Sequence, residues 1–120
     1  MRVIEIGREL VGQGRKLRNG KRAAEALPFV EQARAACPTL GTALEQLEAD
    51  VYEDLGRWTE AAQALAVLID VVPKQRLFVV RRAKLLLDHL DRAADARALL
   101  DQALTRFPGD AELTALRDRA

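Results

Sequence analysis

Apolar side chains recur along this chain at helical spacing, with polar residues between them. Leu65, Leu68 and Ile69 stand at positions i, i+3 and i+4, and alanine and leucine occupy similar positions through much of the sequence. This spacing collects apolar residues on one side of an α-helix, whereas a strand would need alternation, which no segment sustains. The pattern therefore predicts an all-α fold.

The helical pattern also repeats with a fixed period. Pro38, Pro73 and Pro108 are each 35 residues apart. Six further columns repeat at that spacing: Leu17, Tyr52 and Leu87; Arg22, Arg57 and Arg92; Glu25, Glu60 and Asp95; Ala26, Ala61 and Ala96; Val30, Leu65 and Leu100; Ala33, Leu68 and Ala103. A period of this length is typical of arrays of stacked supersecondary units. We expect one domain, 1–120, with units at about 7–38, 39–73 and 74–108 and a cap at 109–120.

Local signals set the expected helix ends. Each repeated proline should stop a helix and force an extended residue before it. Thr42 to Glu45 reads as a capping box that opens a helix. Asp110 should cap a last short helix, in which Leu113 and Leu116 face inward to cover the final repeat.

The first and third units depart from the middle one. In the first, the turn glycine, Gly20, comes one position early, and Pro28 predicts a late start or a kink in the second helix. Three glycines should each weaken the first helix by roughly 1 kcal/mol: Gly7, Gly12 and Gly14. In the third unit, the segment 89–92 carries one extra residue and no turn glycine. Three residues of the preceding helix should then be buried: Val79, Ala83 and Leu86.

The middle unit carries a family resemblance. The segment Leu55-Gly56-Arg57-Trp58-Thr59-Glu60-Ala61-Ala62, followed by Leu65, Leu68 and Pro73, resembles the second half of a tetratricopeptide repeat. The twelve-residue separation of each repeated alanine from its proline favours this family over the pentatricopeptide repeats, which bind RNA. The resemblance implies an α-solenoid of three antiparallel helix pairs, wound as a right-handed superhelix with a capping helix. It also implies that Tyr52 and Trp58 pack between helices.

Composition excludes several functions. The chain has 120 residues, a net charge of +1, one histidine and one cysteine, and it has no serine. A serine nucleophile and zinc-ligand spacing are therefore absent, and we expect no enzyme activity, cofactor or metal. Cys37 should pack as an apolar residue at a helix end. No signal or membrane segment is visible, so the cytoplasm is the expected location.

Charge is unevenly distributed. Residues 1–22 hold seven basic and two acidic residues, whereas residues 45–60 hold six acidic residues and one basic residue. These charges could neutralise each other across neighbouring helices, or they could form a bipolar groove that orients a peptide. In the resembled family the first helix of each pair lines the concave groove. The candidate partner-binding residues there are Arg8, Arg15, Arg18, Gln46, Asp50, Glu53, Asp54, Leu77, Val80, Arg81, Lys84 and Leu87. A register shift of one residue in the third unit would present Phe78, Arg81 and Leu85 instead.

The resemblance implies a protein-interaction module, a scaffold or adaptor that binds a protein or peptide segment in the groove. A small tetratricopeptide-type chaperone for a secreted protein and a weak nucleic-acid binder using the basic N-terminal region remain alternatives. Self-association is also open, and a membrane partner is not expected. The carboxylate clamp found in some family members is not matched, because its positions hold Val11, Arg15 and Leu47.

Overall fold

Seven α-helices form in the computed structural model, which describes residues 2–37 and 41–120. They are α1 (Val3–Asn19), α2 (Ala23–Ala36), α3 (Thr42–Asp54), α4 (Trp58–Val71), α5 (Arg76–Asp88), α6 (Ala93–Arg106) and α7 (Ala111–Arg119). These residues contain no strand, so the all-α prediction is confirmed for them. The helix stop predicted at Pro38 lies outside the described residues. The chain divides into two compact units, Met1–Ala64 and Leu65–Ala120.

In the first compact unit, α1, α2 and α3 pack against one another. Their shared core consists of Val11, Ala26, Val30, Ala33, Leu44, Leu47 and Val51. Gly14 is buried where α1 meets this core, and a Cβ built on it would lie 2.9 Å from Leu47 Cδ2. The glycine that weakens α1 in isolation therefore permits a close helix approach, which is one reason that α1 forms despite its three glycines.

In the second compact unit, α5, α6 and α7 pack against one another. Their core consists of Val79, Val80, Ala83, Leu100, Ala103, Leu113 and Leu116. The predicted cap is confirmed: the Asp110 carboxylate accepts a hydrogen bond of 3.0 Å from the Leu113 backbone N–H. Leu113 and Leu116 point inward, as expected of a helix that covers its neighbours. The predicted burial of Val79, Ala83 and Leu86 is also confirmed.

Three of the helices follow the 35-residue period along their whole length. These helices, α2, α4 and α6, have 14 residues each and begin at positions 23, 58 and 93. Immediately before each start, Arg22, Arg57 and Arg92 form an ion pair with the acid three residues later. The alanines at 26, 61 and 96 are fully buried. We call these three the second helices, and α1, α3 and α5 the first helices.

The turn before each second helix uses a left-handed residue at the same place in each period. These residues are Lys21, Gly56 and Asp91, with φ of 62°, 71° and 51°. Gly20 lies in the first of these turns one position before Lys21, as the early turn glycine predicted, and its own φ is −81°. The extra residue predicted in the third turn is confirmed: Arg92 N–H donates to the carbonyl six residues back, whereas Arg57 N–H donates to the carbonyl five residues back.

The capping box predicted for α3 and the late start predicted for α2 are wrong, although α3 does begin at Thr42. The residue that caps α3 is Gly41, with φ of 97°, and no side chain caps it, so the Thr42 capping box does not form. A glycine carries that φ without the steric cost that other residues would meet. Helix α2 starts at Ala23 and continues through Pro28. The buried residues Ala26, Val30 and Ala33 anchor α2 in the core, and this packing overrides the local cost of the proline.

Candidate functional site

The charged residues predicted on α1 and α3 meet each other in the first compact unit. Arg18 Nε lies 2.8 Å from Asp54 Oδ2, and Arg15 Nη1 lies 3.6 Å from Asp50 Oδ2. The hydrogen bond that Arg18 donates to Asp54 raises the pKa of Arg18 above its ordinary value. For these two pairs, mutual neutralisation between neighbouring helices is what the structure shows. Each pair is part-exposed, so its net effect on stability is expected to be within about 1 kcal/mol.

The other candidates on these two helices remain at the surface to different degrees. Arg8 is exposed, whereas Gln46 and Glu53 are half-buried. A cleft at the end of α1 is lined by Arg18, Asn19, Lys21, Ala23 and Asp54. The first compact unit therefore presents a polar face of mixed charge, in which each anchored arginine already has a carboxylate beside it.

In the second compact unit, only part of the predicted apolar patch is accessible. Leu77 is 54% exposed, but Val80 is only 3% exposed and belongs to the core. Leu87 packs partly against the same core. The alternative register does not give an accessible apolar patch either, because Phe78 and Leu85 are also buried. Val80 therefore cannot contact a partner in this conformation, since α5 turns that side chain toward α6 and α7.

The polar candidates on α5 lie at the surface. Arg81 is half-buried, and Lys84 is exposed, with its Nζ 3.7 Å from Glu112 Oε2. No sequence signal pointed to Arg76, the first residue of the same helix. Arg76 contacts both Asp110 and Glu112 at 2.7 Å, and these hydrogen bonds lower the pKa of both carboxyl groups. The ion pairs join the start of α5 to the start of α7.

A second missed group joins α2 to α3. Arg34 forms ion pairs with Glu45, at 2.6 Å, and with Glu48. Glu48 is buried, and burial raises the pKa of its carboxyl group although the Arg34 hydrogen bond acts in the opposite direction. The residue 35 positions after Arg34 is Ile69, so this contact lies outside the repeated columns and the period could not reveal it.

A groove runs along α6 in the second compact unit, and no sequence signal indicated it. One section, of about 490 Å³, is lined mainly by Ile69, Pro73, Val79, Leu99, Arg106 and Phe107. The adjoining section, of about 350 Å³, is lined mainly by Ala66, Asp70, Arg82, Arg92, Ala98 and Gln102. Both sections are bordered by Ile69, Asp70, Leu99 and Gln102, so the two clefts lie next to each other. Spacing along one helix does not show which apolar side chains remain accessible to solvent.

Three side chains with distinctive chemistry, those of Cys37, Tyr52 and Trp58, pack at least partly within the protein. Cys37 is buried, as predicted for an apolar residue. Tyr52 is half-buried, and the Arg57 guanidinium lies 5.0 Å from its ring centroid; Trp58 is half-buried too. Within residues 2–37 and 41–120, no group of three or more histidine, cysteine, aspartate or glutamate side chains could hold a metal ion.

No helix among the described residues is both long enough and apolar enough to cross a membrane. In comparisons with known proteins, no family model, no curated protein and no solved structure matches the chain.

Proposed function

We propose that this chain is a tetratricopeptide-like helical-repeat protein that binds a peptide segment of a partner protein through residues of its first helices. The observation that carries the proposal is the recurrence of turn and second helix at 35-residue intervals. Repeated units of this length are built to stack and bury a continuous core, and extended binding surfaces are the common use of such arrays. The chain is proposed to act as a non-catalytic adaptor or scaffold in the cytoplasm.

The chemistry of the first helices supports a protein partner. In the first compact unit, α1 and α3 present Arg15 and Arg18 beside Asp50 and Asp54. In the second, α5 presents the exposed Leu77 together with charged groups such as Lys84. A mixture of both charge signs with an exposed leucine suits a peptide with its own alternating charges, and such charges set orientation and on-rate more than affinity.

The same ion pairs weigh against the nucleic-acid alternative. Phosphate binding depends on basic groups that are available to neutralise the backbone charge. Two of the basic side chains predicted for this role, Arg15 and Arg18, already have a carboxylate within 4 Å. A polyanion would have to compete with those carboxylates, whereas a peptide that carries both charge signs could exchange pairs with them.

The proposal can be tested by exchanging charges without removing the ion pairs. The variant Arg15→Asp/Asp50→Arg/Arg18→Asp/Asp54→Arg keeps the net charge and both pairings but moves each charge to the opposite helix. Immobilised wild-type protein and this variant would be used to capture partners from an extract of the source cell, followed by mass spectrometry. Arg97→Asp, on an exposed position of α6, serves as the control.

We expect the exchanged variant to lose the partner that wild type captures at low salt, with an unchanged helical circular dichroism spectrum. The control should retain that partner. If the exchanged variant captures the same partner equally well at low salt, the face formed by α1 and α3 is not the binding site. The exposed apolar start of α1, with Val3, Ile4 and Ile6, would then be the next surface to examine.

A further inference from the structure

We infer that α7 is a salt-sensitive cap, held by ion pairs, which opens as a unit away from α5 and α6 when those pairs are screened or removed. The opening is a conformational device within the second compact unit. Its evidence is the set of ion pairs on α7, the small apolar contact beneath the helix and the glycine in the connection before it. The inference does not depend on the proposed function and is tested without a partner.

The neighbours of α7 are those that a first helix has in the repeat. Helix α3 packs against both α1 and α2, and α7 packs in the same way against both α5 and α6. In each case an ion pair joins residues 36 positions apart, Arg18 with Asp54 and Arg76 with Glu112. However, α3 contributes five buried residues and α7 only two. Helix α7 therefore has the charge contacts of a first helix with much less apolar anchoring.

Ion pairs hold α7 at both of its ends. At its start, Arg76 Nε and Nη2 donate to Asp110 Oδ2 and Oδ1, at 2.7 and 3.1 Å, and Nη2 also donates to Glu112 Oε1 at 2.7 Å. At its end, Arg119 pairs with Asp88, the last residue of α5. Start meets start and end meets end, so α7 runs in the same direction as α5. The reversed orientation would bring like charges together at both ends, and the charges therefore specify how α7 docks.

These ion pairs lie where dissolved salt can screen them. The side chains of the pair at the end of α7, Arg119 with Asp88, and of the pair that joins α7 to α6, Arg117 with Asp101, are 35 to 51% exposed. The screening length falls from about 10 Å at 0.1 M salt to about 3 Å at 1 M. Added salt therefore weakens the attachment of α7, whereas the apolar packing of α5 against α6 has no charge to screen.

Little else fixes α7 in place. It has nine residues, and isolated helices shorter than about 12–15 residues are marginal in water. Its buried side chains are those of Leu113 and Leu116. The connection from α6 contains Gly109, at a φ of 78°, and glycine accepts many backbone conformations without steric cost. Helix α7 can therefore leave its neighbours by rotation at this connection, while α6 stays intact.

The opening uncovers apolar surface on the helices that remain. Leu113 and Leu116 share one core cluster with Val80, Ala83 and Leu100. When the two leucines leave, part of that cluster faces water. Val80, which no partner can contact in the closed conformation, becomes accessible in the open one. The cap thereby controls how much of the apolar side of α5 is available.

Amide hydrogen exchange of the full chain, resolved by NMR, measures the opening. The amides of Leu116 and Arg117 report on α7, and those of Leu100 and Ala103 report on α6. At low salt we expect protection factors in α7 at least about tenfold below those in α6, a difference of about 1.4 kcal/mol. Raising NaCl from about 0.02 to about 0.5 M should lower protection in α7 a further threefold or more, and should change α6 by less than about twofold.

Substitutions then separate the ion pairs from the helix itself. Arg76→Gln removes the partner of both carboxylates at the start of α7 and should lower protection in α7 about three- to tenfold. Asp101→Arg places a like charge beside Arg117 and should act in the same direction, and Asp101→Arg/Arg117→Asp should recover at least part of the loss. Arg97→Gln, at an exposed position of α6, is the matched control and should change nothing.

Several results would overturn the inference. Equal protection of α7 and α6 at low salt would show that α7 opens only together with the rest of its unit. A parallel loss of protection in both helices on adding salt would have the same meaning, and so would an identical response to Arg76→Gln and Arg97→Gln. If Arg76→Gln unfolds the chain, circular dichroism will reveal it, and the salt series on the wild-type protein then decides alone.

Discussion

The second helices and the first helices of this chain obey the 35-residue period to different degrees. The second helices have equal lengths and start at strictly periodic positions, 23, 58 and 93. The first helices have 17, 13 and 13 residues and start at positions 3, 42 and 76. The period is therefore anchored at the turn and the second helix, while the first helix varies in length and register.

A physical difference accounts for this. Each second helix begins directly after a left-handed residue and an arginine that pairs with an acid in the first turn, and it carries a fully buried alanine. The three features fix its start and its closest contact. The first helices start after three different residue types, Arg2, Gly41 and Gln75. Such repeat arrays tolerate differences of this kind provided that the packed faces still meet.

The largest loss of stability should come from placing a larger side chain at the position of the repeated alanine. Ala26→Leu inserts three carbon atoms into the packed core of the first compact unit, and we expect it to cost about 1–3 kcal/mol in the free energy of unfolding. Ala24→Leu, on the exposed side of the same helix, is the matched control and should cost almost nothing. Urea unfolding followed by circular dichroism measures both. Equal midpoints for the two variants would show that the repeated alanine does not anchor the second helix.

The ion pair between Arg34 and Glu48, which lies outside the repeated columns, should also contribute to stability. Arg34→Ala leaves the Glu48 carboxylate buried without its guanidinium, at an expected cost of about 1–3 kcal/mol at neutral pH. Burial already raises the folded-state pKa of Glu48, and removing Arg34 should raise it further. The ionised carboxylate is therefore the destabilised form, so the penalty should shrink as the pH falls through that pKa. The double variant Arg34→Ala/Glu48→Gln should lose this pH dependence, and a penalty that grows on acidification would contradict the account.

Substitutions at the left-handed turn residues should change the free energy of unfolding in opposite directions. Gly56→Ala forces a side chain into a φ of 71° and should destabilise by about 1–2 kcal/mol. Lys21→Gly and Asp91→Gly relieve the same strain and should stabilise, by up to about 1 kcal/mol after the greater freedom of the unfolded glycine is counted. Thermal unfolding of the three variants compares the turns directly. Stabilisation by Gly56→Ala would mean that this turn does not require the left-handed conformation.

The smallest expected change in stability distinguishes two glycines of α1, Gly12 and Gly14. Gly12 is exposed and a Cβ there would meet nothing within 4 Å, so Gly12→Ala should stabilise α1 by about 0.5–1 kcal/mol. A Cβ at Gly14 would lie 2.9 Å from Leu47 Cδ2 in the buried core, so Gly14→Ala should lose that gain or destabilise. If both variants stabilise equally, α1 does not depend on the close approach at Gly14.

Much of the candidate face could be proposed from sequence, but its pairing could not. Helical spacing placed Arg15 and Arg18 on one side of a helix and Asp50 and Asp54 on one side of another. Whether these charges face each other depends on how α1 and α3 pack, and the distances of 3.6 and 2.8 Å answer that question. Val80 shows the opposite case. Its spacing fitted an open patch, but the rotation of α5 against α6 and α7 buries it.

What the sequence by itself determined is the helical content, the period, the buried columns and the cap at Asp110, because each follows from residues a few positions apart or from repetition. Only the tertiary structure decided that Lys21 takes the left-handed conformation in the first turn, that α2 continues through Pro28, and that Arg34 pairs with Glu48. It alone also revealed the clefts beside α6. Packing between helices adds energies of several kcal/mol that outweigh local costs of about 1–3 kcal/mol, and such contacts leave no periodic trace in the chain.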